Sequence, residues 1–211
     1  GYDNYYGLQD IQKYNDERYV LDRELILNKT FYNKIFKQQG NFVNYIITYS
    51  PHTPFTTEKE VGKILAEEKY GKGNIPKLSE EDCAKMAASE TDNMVGLLIQ
   101  ALKDNGLYDN TVIVAYADHY LYTLDDKSIL DKYKETSNNL INHTPFFIWS
   151  SDLGQLTSIS KVNMQMDILP TVLNLFGIDY NSNNYIGHDI LSNDFKGYAF
   201  FSDYSWYDGK V

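Results

Sequence analysis

Apolar runs and helical repeats alternate along this chain. Residues 111–117 form an unbroken β-branched and apolar run, which is typical of a strand buried on both faces of a sheet. Residues 41–49 predict a second strand and residues 146–150 a third. Residues 79–105 predict a long helix between the first two strands of the chain. Its apolar positions recur at i, i+3, i+4, i+7 and i+8: Met94, Leu97, Leu98, Ala101 and Leu102.

Strand, helix and strand in this order predict a βαβ unit with parallel strands, and therefore an α/β fold. Further helices are predicted over residues 22–37, over 59–68, and from Asp167 to Gly177, where Asp167 is the expected cap. Residues 121–140 are charged and rich in amides, which indicates a loop. A last short strand is predicted over residues 198–201.

Composition narrows the class of protein. The 211 residues are enough for one sizeable core, so we expect a single domain over residues 1–211. With 19 Lys and Arg against 29 Asp and Glu, the net charge of -10 argues against a nucleic-acid surface and against a polybasic membrane patch. It leaves room for a compact anion site, because a bound metal supplies local positive charge.

The single cysteine, Cys83, excludes an internal disulfide and a cysteine-based zinc site. The chain has no run of 18 apolar residues, so no segment is predicted to span a bilayer. It begins at Gly1 with no methionine and no signal-like segment, and we therefore expect it to be a piece of a longer protein.

Two polar groups follow the predicted strands at their carboxyl ends, where open α/β sheets bind ligands. Asp118 and His119 come directly after residues 111–117 and offer an oxygen and a nitrogen to one divalent metal. A polar pair that only satisfies loop amides is the alternative. His52 follows residues 41–49 on a loop stiffened by two prolines. In a βαβ unit these groups share one edge of the sheet, which favours a site.

The remaining candidates have structural interpretations. Asp92 lies in the long helix and is expected to be a solvated or locally bonded carboxylate. If residues 146–150 run parallel to the other strands, His143 lies at the amino end of that strand, away from the site, and has a structural role. His188 is expected at the surface, in a turn.

Several segments, in this order, resemble the sulfatase-like branch of the alkaline phosphatase superfamily, and most closely its lipoteichoic acid synthases and related phosphoglycerol transferases. The resemblance covers residues 30 to 205, and its motifs are specific when they occur jointly. The segments are Tyr45-Ile-Ile-Thr-Tyr-Ser-Pro-His52-Thr-Pro-Phe55, Thr91-Asp92 to Lys103, Gly106 to Tyr120 with Ala-Asp-His-Tyr at its end, His143-Thr-Pro-Phe146, Met166-Asp-Ile-Leu-Pro-Thr to Gly177, and Ile186-Gly-His-Asp189.

This resemblance implies a three-layer αβα fold, here a partial alkaline phosphatase/sulfatase-like fold. It implies one divalent metal, Mn²⁺ or Mg²⁺ with Zn²⁺ as an alternative, for which Asp118 and His119 are ligands. His52 would contact the phosphoglycerol of the substrate. In such proteins a threonine nucleophile near the metal forms a covalent phosphoryl intermediate.

The sequence also departs from the family pattern. The segments with the nucleophilic threonine, the first carboxylate ligand and a substrate-binding Trp/Arg pair do not occur in it, and Leu121 stands where the family has a glycine shortly after Asp-His-Tyr. We therefore expect the chain to be the C-terminal portion of an extracellular catalytic domain, inactive alone and prone to self-association. Its N-terminal half would be a partner, and membrane helices would lie upstream.

The implied function is transfer of glycerol phosphate from a lipid-linked donor to a polymer acceptor at the outer face of the cell membrane. Two alternatives share the Asp-His pair: phosphoethanolamine transfer and sulfatase-type hydrolysis. A non-catalytic envelope-binding module is the alternative of another class. The upstream nucleophile would discriminate between these, because a threonine favours transfer and a cysteine or serine favours sulfate ester cleavage.

Overall fold

The computed structural model describes residues 2–7, 10, 21–133 and 143–210. These residues form two compact units. The first contains the described residues up to 133 together with residues 143–152, and the second contains residues 153–210. The prediction of one domain over residues 1–211 stays a prediction.

Five α-helices of the first unit lie entirely within the described residues, together with a short 3₁₀ turn over Tyr108–Asn110. They are α1 (Glu24–Leu27), α2 (Lys29–Phe36), α3 (Glu60–Tyr70), α4 (Glu80–Asp104) and α5 (Lys127–Tyr133). The long helix and the short helix before it were predicted correctly. Helix α5 was not, because the predicted loop over residues 121–140 contains it; residues 134–142 of that loop lie outside the described residues.

Local side-chain chemistry sets the helix boundaries. The single helix predicted over residues 22–37 is interrupted at Asn28, whose side chain accepts hydrogen bonds from the backbone N–H groups of Thr30 and Phe31 and so starts α2. Helix α4 begins with a capping box in which Ser79 and Asp82 satisfy each other's backbone N–H groups. Such a cap stabilises a helix by about 1 kcal/mol.

Strands β1 (Val112–Tyr116) and β2 (Phe146–Ser150) form a two-stranded sheet. They pair antiparallel, with Val112 opposite Ser150 and Tyr116 opposite Phe146. The expectation that the 146–150 strand runs parallel is therefore wrong. A run of apolar residues identifies a buried strand but carries no information on its direction.

The strand predicted over residues 41–49 is not formed within the part of the chain that the structure describes, where this segment has no strand hydrogen bonds. Its alternate side chains are nevertheless exposed on one side, up to 76% for Val43 and 77% for Ile47. Tyr45 and Tyr49 continue this apolar strip. The period of two is that of an extended, strand-like segment.

Three apolar clusters form the core of the first unit, and α4 connects two of them. Met94, Ala101 and Leu102, from its C-terminal half, lie in the first cluster; Cys83 and Ala87, from its N-terminal half, lie in the second. The first also contains residues of α1 and α2: Leu25, Ile26, Phe31, Ile35 and Phe36. The second also contains Phe55, Leu124 and Ile129, and the third contains Leu21, Val61 and Leu65.

Helix α3 lies close to the backbone that precedes it. A Cβ atom on Gly62 would lie 2.1 Å from the carbonyl oxygen of Thr56, a distance that side chains do not tolerate. Glycine at this position therefore lets the helix approach the chain just after Phe55, which is itself buried.

The second unit contains one α-helix, α6 (Ile168–Leu175), and a two-stranded antiparallel sheet of β3 (Ala199–Phe200) and β4 (Trp206–Tyr207). Short 3₁₀ turns cover Gln165–Asp167 and Ser182–Asn184. The predictions of a helix ending before Gly177 and of a short strand near residue 199 are confirmed. No described helix in either unit is both long enough and apolar enough to cross a membrane.

Asp167 does not have the predicted role of a helix cap. Its carboxylate is 1% exposed and makes no capping hydrogen bond to α6. It accepts instead from the backbone N–H of Met164 (2.9 Å), at the start of the 3₁₀ turn Gln165–Asp167, and from that of His188 (2.7 Å), and so joins this turn to the 187–190 turn. The 187–190 turn is packed closely here, since a Cβ on Gly187 would lie 1.9 Å from the carbonyl oxygen of Met166.

Candidate functional site

Asp118 and His119 follow β1 directly and point to one place. Oδ2 of Asp118 lies 3.6 Å from Nε2 of His119. Nδ1 of His119 lies 2.7 Å from the carbonyl oxygen of Tyr120. Because a carbonyl oxygen only accepts hydrogen bonds, Nδ1 carries a proton, and in the neutral ring Nε2 has the lone pair that a metal requires. The imidazole edge also packs against the Tyr122 ring, with 4.8 Å between ring centroids.

This donor set fits one divalent metal. Two ligand atoms about 2.0–2.2 Å from one ion lie roughly 3–3.6 Å apart, depending on the coordination angle, and the observed separation is of that size. A metal-binding histidine usually donates its other N–H to a carbonyl or carboxylate, as His119 does. Among the described residues, no group of three or more His, Cys, Asp or Glu side chains is arranged to hold a metal.

His52 lies on a turn that its own backbone holds. The N–H of His52 donates to the carbonyl oxygen of Tyr49 (2.9 Å), and the two rings stack with 5.3 Å between centroids and 10° between planes. Nδ1 of His52 lies 2.8 Å from the carbonyl oxygen of Thr53, so the same tautomer argument leaves Nε2 as the acceptor nitrogen. The C-terminal end of this loop is held by Phe55, which is buried in the second cluster.

The two loops lie at the same end of the first unit. Ile46 and Ile113 both pack against the first cluster, whereas Phe55 and Leu124 both lie in the second. Both segments therefore run in the direction opposite to α4, as the βαβ prediction requires. The hydroxyls of Tyr45 and Tyr116, 3.1 Å apart, connect the segments directly, and this hydrogen bond raises the pKa of Tyr116 to about 12. These contacts support the predicted shared site of His52, Asp118 and His119, whose roles stay predictions.

His143 lies near the carboxyl end of β1, whereas we expected it near the amino end. Because β2 is antiparallel, its first residue pairs with Tyr116 at the carboxyl end of β1, and the N–H of Ala117 donates to the carbonyl oxygen of Pro145 (3.2 Å). His143 therefore belongs to the edge of the sheet where Asp118 and His119 lie. The prediction that it faces away from the site is wrong, because it depended on a parallel strand.

Two glutamates at the start of α4 hold the chain that follows the Asp118-His119 loop. The carboxylate of Glu80 accepts from the N–H groups of Asp125 and Asp126, each at 2.8 Å. Hydrogen bonds from Lys132, and then from Lys85 and Tyr133, lower the pKa of Glu81 to about 2. Sequence reasoning missed both groups, because all of their partners except Lys85 lie 45 to 52 residues away.

The remaining candidates have the structural roles expected of them. Asp92 is exposed on α4, and His188 is exposed in its turn. Asp22 was not singled out by the sequence, yet its carboxylate is 3% exposed and accepts from the N–H groups of Tyr49 and Ser50. In the sequence Asp22 is one polar residue at the start of a predicted helix, and this position does not signal burial.

Comparisons with a family model and with curated proteins agree on the family of this chain. Residues 1–178 match the sulfatase family model. A lipoteichoic acid synthase of Staphylococcus saprophyticus is 30% identical over 227 residues, which cover 100% of this chain and 33% of that protein. A lipoteichoic acid synthase of Staphylococcus aureus strain USA300 is 28% identical over 232 residues, covering 99% of this chain and 34% of that protein. The chain thus spans about a third of the length of these curated relatives.

A solved structure gives the same result for the fold. The crystal structure of the lipoteichoic acid synthase LtaP from Listeria monocytogenes superposes with a TM-score of 0.61 at 27% identity, over 81% of this chain and 42% of that one. The predicted resemblance and the mixed α/β fold of the alkaline phosphatase/sulfatase type are confirmed. Proteins of this kind are generally metal-dependent, which agrees with the donor pair found after β1. The chain belongs to the sulfatase family.

Proposed function

We propose that this chain is part of the catalytic domain of a phosphoglycerol transferase of the lipoteichoic acid synthase type. The reaction would transfer glycerol phosphate from a lipid-linked donor to a growing polymer at the outer face of the cell membrane. The observation that carries the proposal is the Asp118-His119 pair. Its two donor atoms are 3.6 Å apart, and Tyr120 fixes the tautomer of the imidazole.

Asp118 and His119 would hold Mn²⁺ or Mg²⁺, with Zn²⁺ as the alternative. Such an ion polarises a phosphoryl oxygen and lowers the pKa of a bound hydroxyl. The carboxylate contributes the hard oxygen that Mn²⁺ and Mg²⁺ favour, and the imidazole contributes a nitrogen. The contacts of His119 with Tyr120 and Tyr122 orient the ring before any ligand binds.

His52 would bind the transferred phosphoglycerol. Its Nδ1–H is engaged by Thr53, so Nε2 is the atom that meets the substrate. In the neutral ring Nε2 accepts a proton from an attacking hydroxyl, and in the charged ring it donates a hydrogen bond to a phosphoryl oxygen. Either action requires the loop to hold the ring still, which the stacked Tyr49 ring favours.

The threonine nucleophile and the first carboxylate ligand would come from the N-terminal half of the same domain, outside these 211 residues. The apolar strip of Val43, Tyr45, Ile47 and Tyr49 supports this, because exposed apolar groups at a strand period mark a surface that another segment covers. The 211-residue chain alone is expected to be inactive and to self-associate through this strip. In analytical ultracentrifugation, Ile47→Lys should shift the chain toward monomer, whereas Leu156→Lys in the second unit should not.

The decisive experiment uses the purified full-length gene product with three substrates in parallel: phosphatidylglycerol vesicles, phosphatidylethanolamine vesicles and an aryl sulfate, each with Mn²⁺. Diacylglycerol release from phosphatidylglycerol, together with a phosphoglycerol-labelled threonine detected by mass spectrometry, is the expected result. Asp118→Ala should remove both.

Each other result identifies a different function. Diacylglycerol release only from phosphatidylethanolamine would replace phosphoglycerol by phosphoethanolamine as the transferred group. Sulfate release would indicate a hydrolase. Turnover of none of the three substrates, with vesicle binding retained, would overturn the enzymatic proposal in favour of an envelope-binding module.

A further inference from the structure

A buried carboxylate joins three segments of the first unit. Oδ1 of Asp22 accepts from the N–H groups of Tyr49 (2.7 Å) and Ser50 (3.0 Å). Oδ2 of Asp22 accepts from the hydroxyl of Thr91 in α4 (2.6 Å). The N–H of Asp22 donates in return to the hydroxyl of Ser50 (2.9 Å), a residue with no exposed surface. Asp22 itself is 3% exposed.

These hydrogen bonds end where the His52 turn begins. Asp22 fixes the backbone of Tyr49, the Tyr49 carbonyl oxygen holds the N–H of His52, and the Tyr49 ring stacks on the imidazole. Phe55 fixes the other end of the turn in the second cluster. The loop therefore has one polar and one apolar attachment, and the polar attachment is only two residues before the imidazole.

We propose that Asp22 is a positioning residue for His52: its carboxylate, through Tyr49 and Ser50, sets where the imidazole meets the substrate. This rests on the proposed function of His52. Asp22 does not itself touch substrate, and it lies on a different segment from the metal pair. Its loss is expected to change the work of His52 and to leave the affinity for metal unchanged.

The chemistry of the network explains why a carboxylate is needed. Two backbone N–H groups and one hydroxyl converge on Asp22, and an ionised carboxylate accepts from all three in charge-assisted hydrogen bonds. Asparagine keeps one oxygen for the two N–H groups and presents an NH₂ group to Thr91, whose hydroxyl must then turn to accept. Asp22→Asn should therefore be intermediate, and Asp22→Ala should leave two N–H groups without an acceptor.

A double-mutant cycle on the full-length gene product separates positioning from stability. It measures kcat and KM for phosphatidylglycerol in four proteins: the parent, Asp22→Ala, His52→Ala and the double variant. Asp22→Ala should lower kcat about 10- to 100-fold when His52 is present, the cost of misplacing a reacting group by about 1 Å, and by less than about threefold when His52 is already alanine. Asp22→Asn should recover part of the loss.

The matched control is Asp167→Ala. Asp167 is an equally buried aspartate that also accepts from two loop N–H groups, but it belongs to the second unit. It should lower the unfolding midpoint, with the same fractional effect on kcat in both His52 backgrounds. An equal fractional effect of Asp22→Ala in both backgrounds would overturn the positioning role.

A second readout is independent of turnover. The chain has four histidines, so the imidazole NMR signals of the 211-residue protein are readily assigned. Thr91→Val removes one partner of Asp22 and is the variant to use if Asp22→Ala does not fold. It should shift the His52 signals, while the matched Thr111→Val, which removes a hydroxyl bonded to the Leu107 carbonyl, should not.

The two readouts distinguish the two hypotheses. If His52→Ala leaves kcat unchanged, the proposed role of His52 fails, and the NMR comparison alone decides whether Asp22 positions the ring. If Thr91→Val and Asp22→Asn shift the His52 signals no more than Thr111→Val does, Asp22 does not position the ring. That result would overturn the inference even if His52 acts on the substrate.

Discussion

The two loops that carry the candidate site differ in how the protein holds them. The His52 loop starts at amides bound by the buried Asp22 carboxylate and ends at buried Phe55. The Asp118-His119 loop starts at the β1–β2 pairing and ends at buried Leu124, but the Asp118 side chain is 85% exposed. Near the end of this loop, the Lys127 ammonium donates hydrogen bonds to the carbonyl oxygens of Tyr122 and Leu124.

The comparison separates what this chain builds alone from what it shares. The backbone around His52 has its hydrogen-bonding partners within the first unit, so its geometry is set here. A metal pair whose carboxylate is largely solvated needs further ligands to fix an ion, and those ligands would come from the other half of the proposed domain. The His52 loop is thus held by groups of this chain, whereas the metal-binding role of Asp118 and His119 stays a prediction.

The largest expected effect concerns the exposed pair. In the full-length gene product, Asp118→Ala or His119→Ala should lower Mn²⁺ affinity and abolish transfer, because each removes a ligand. Calorimetric metal titration and diacylglycerol release measure the two effects. His188→Ala, which removes an exposed histidine in the second unit, is the control. Full activity of Asp118→Ala at saturating Mn²⁺ would remove Asp118 from the ligand set.

The next largest effect, on turnover, concerns His52. His52→Ala should slow turnover by about 10²–10⁴-fold while metal affinity stays at the parent value, because the ring acts on the substrate and not on the ion. The same two assays apply. A loss of metal affinity in this variant would place His52 among the ligands and erase the distinction between the two loops.

A smaller effect tests the attachments themselves. Asp22→Ala should lower the free energy of unfolding by about 2–4 kcal/mol, since it removes the acceptor of the buried Ser50 N–H, of the partly buried Tyr49 N–H and of the Thr91 hydroxyl. Lys127→Met should cost only about 0.5–1.5 kcal/mol, because Lys127 itself is exposed and its hydrogen bonds replace bonds to water. Urea unfolding of the 211-residue chain gives both values. Equal losses would mean that the two loops are held equally well.

The smallest effect depends on pH. Glu81 accepts a hydrogen bond from Lys132 of α5, the helix that follows the Asp118-His119 loop. The pKa of Glu81 is about 2, below the ordinary value of 4.5. Its stabilising contribution is therefore complete above pH 4.5 and is lost as the pH falls through 2. The melting temperature of Glu81→Gln should lie below the parent value at pH 7 and approach it near pH 2. A melting-temperature difference between the parent and Glu81→Gln that stays constant from pH 7 to pH 2 would contradict this.

The sequence predicted the elements of this molecule better than their directions. Helix α4 has a capping box and a repeating apolar face, and both were visible in the residues themselves. The direction of β2 was not, because a strand of Phe146–Ser150 looks the same whichever way it runs. This one error also misplaced His143, since the edge on which it lies follows from the direction of the strand.

The candidate site divides in the same way. Asp118, His119 and His52 were predicted because polar residues directly after apolar runs are a local signal. Asp22 gave no such signal: its partners lie 27, 28 and 69 residues away, and its burial results from folding. Asp167 was seen but misinterpreted as a cap, because its bond to His188 spans 21 residues.

The close approach of α3 to Thr56 has a consequence for engineering this protein. Replacing helical glycines by alanine is a standard route to thermostable variants, because alanine favours the helix by about 1 kcal/mol. The two helical glycines here would respond with opposite sign. Gly96 in α4 has open space around it and accepts a methyl group, whereas at Gly62 the methyl group would meet a carbonyl oxygen at 2.1 Å. A stabilisation library that includes Gly62 would push α3 away from the backbone directly behind the His52 loop.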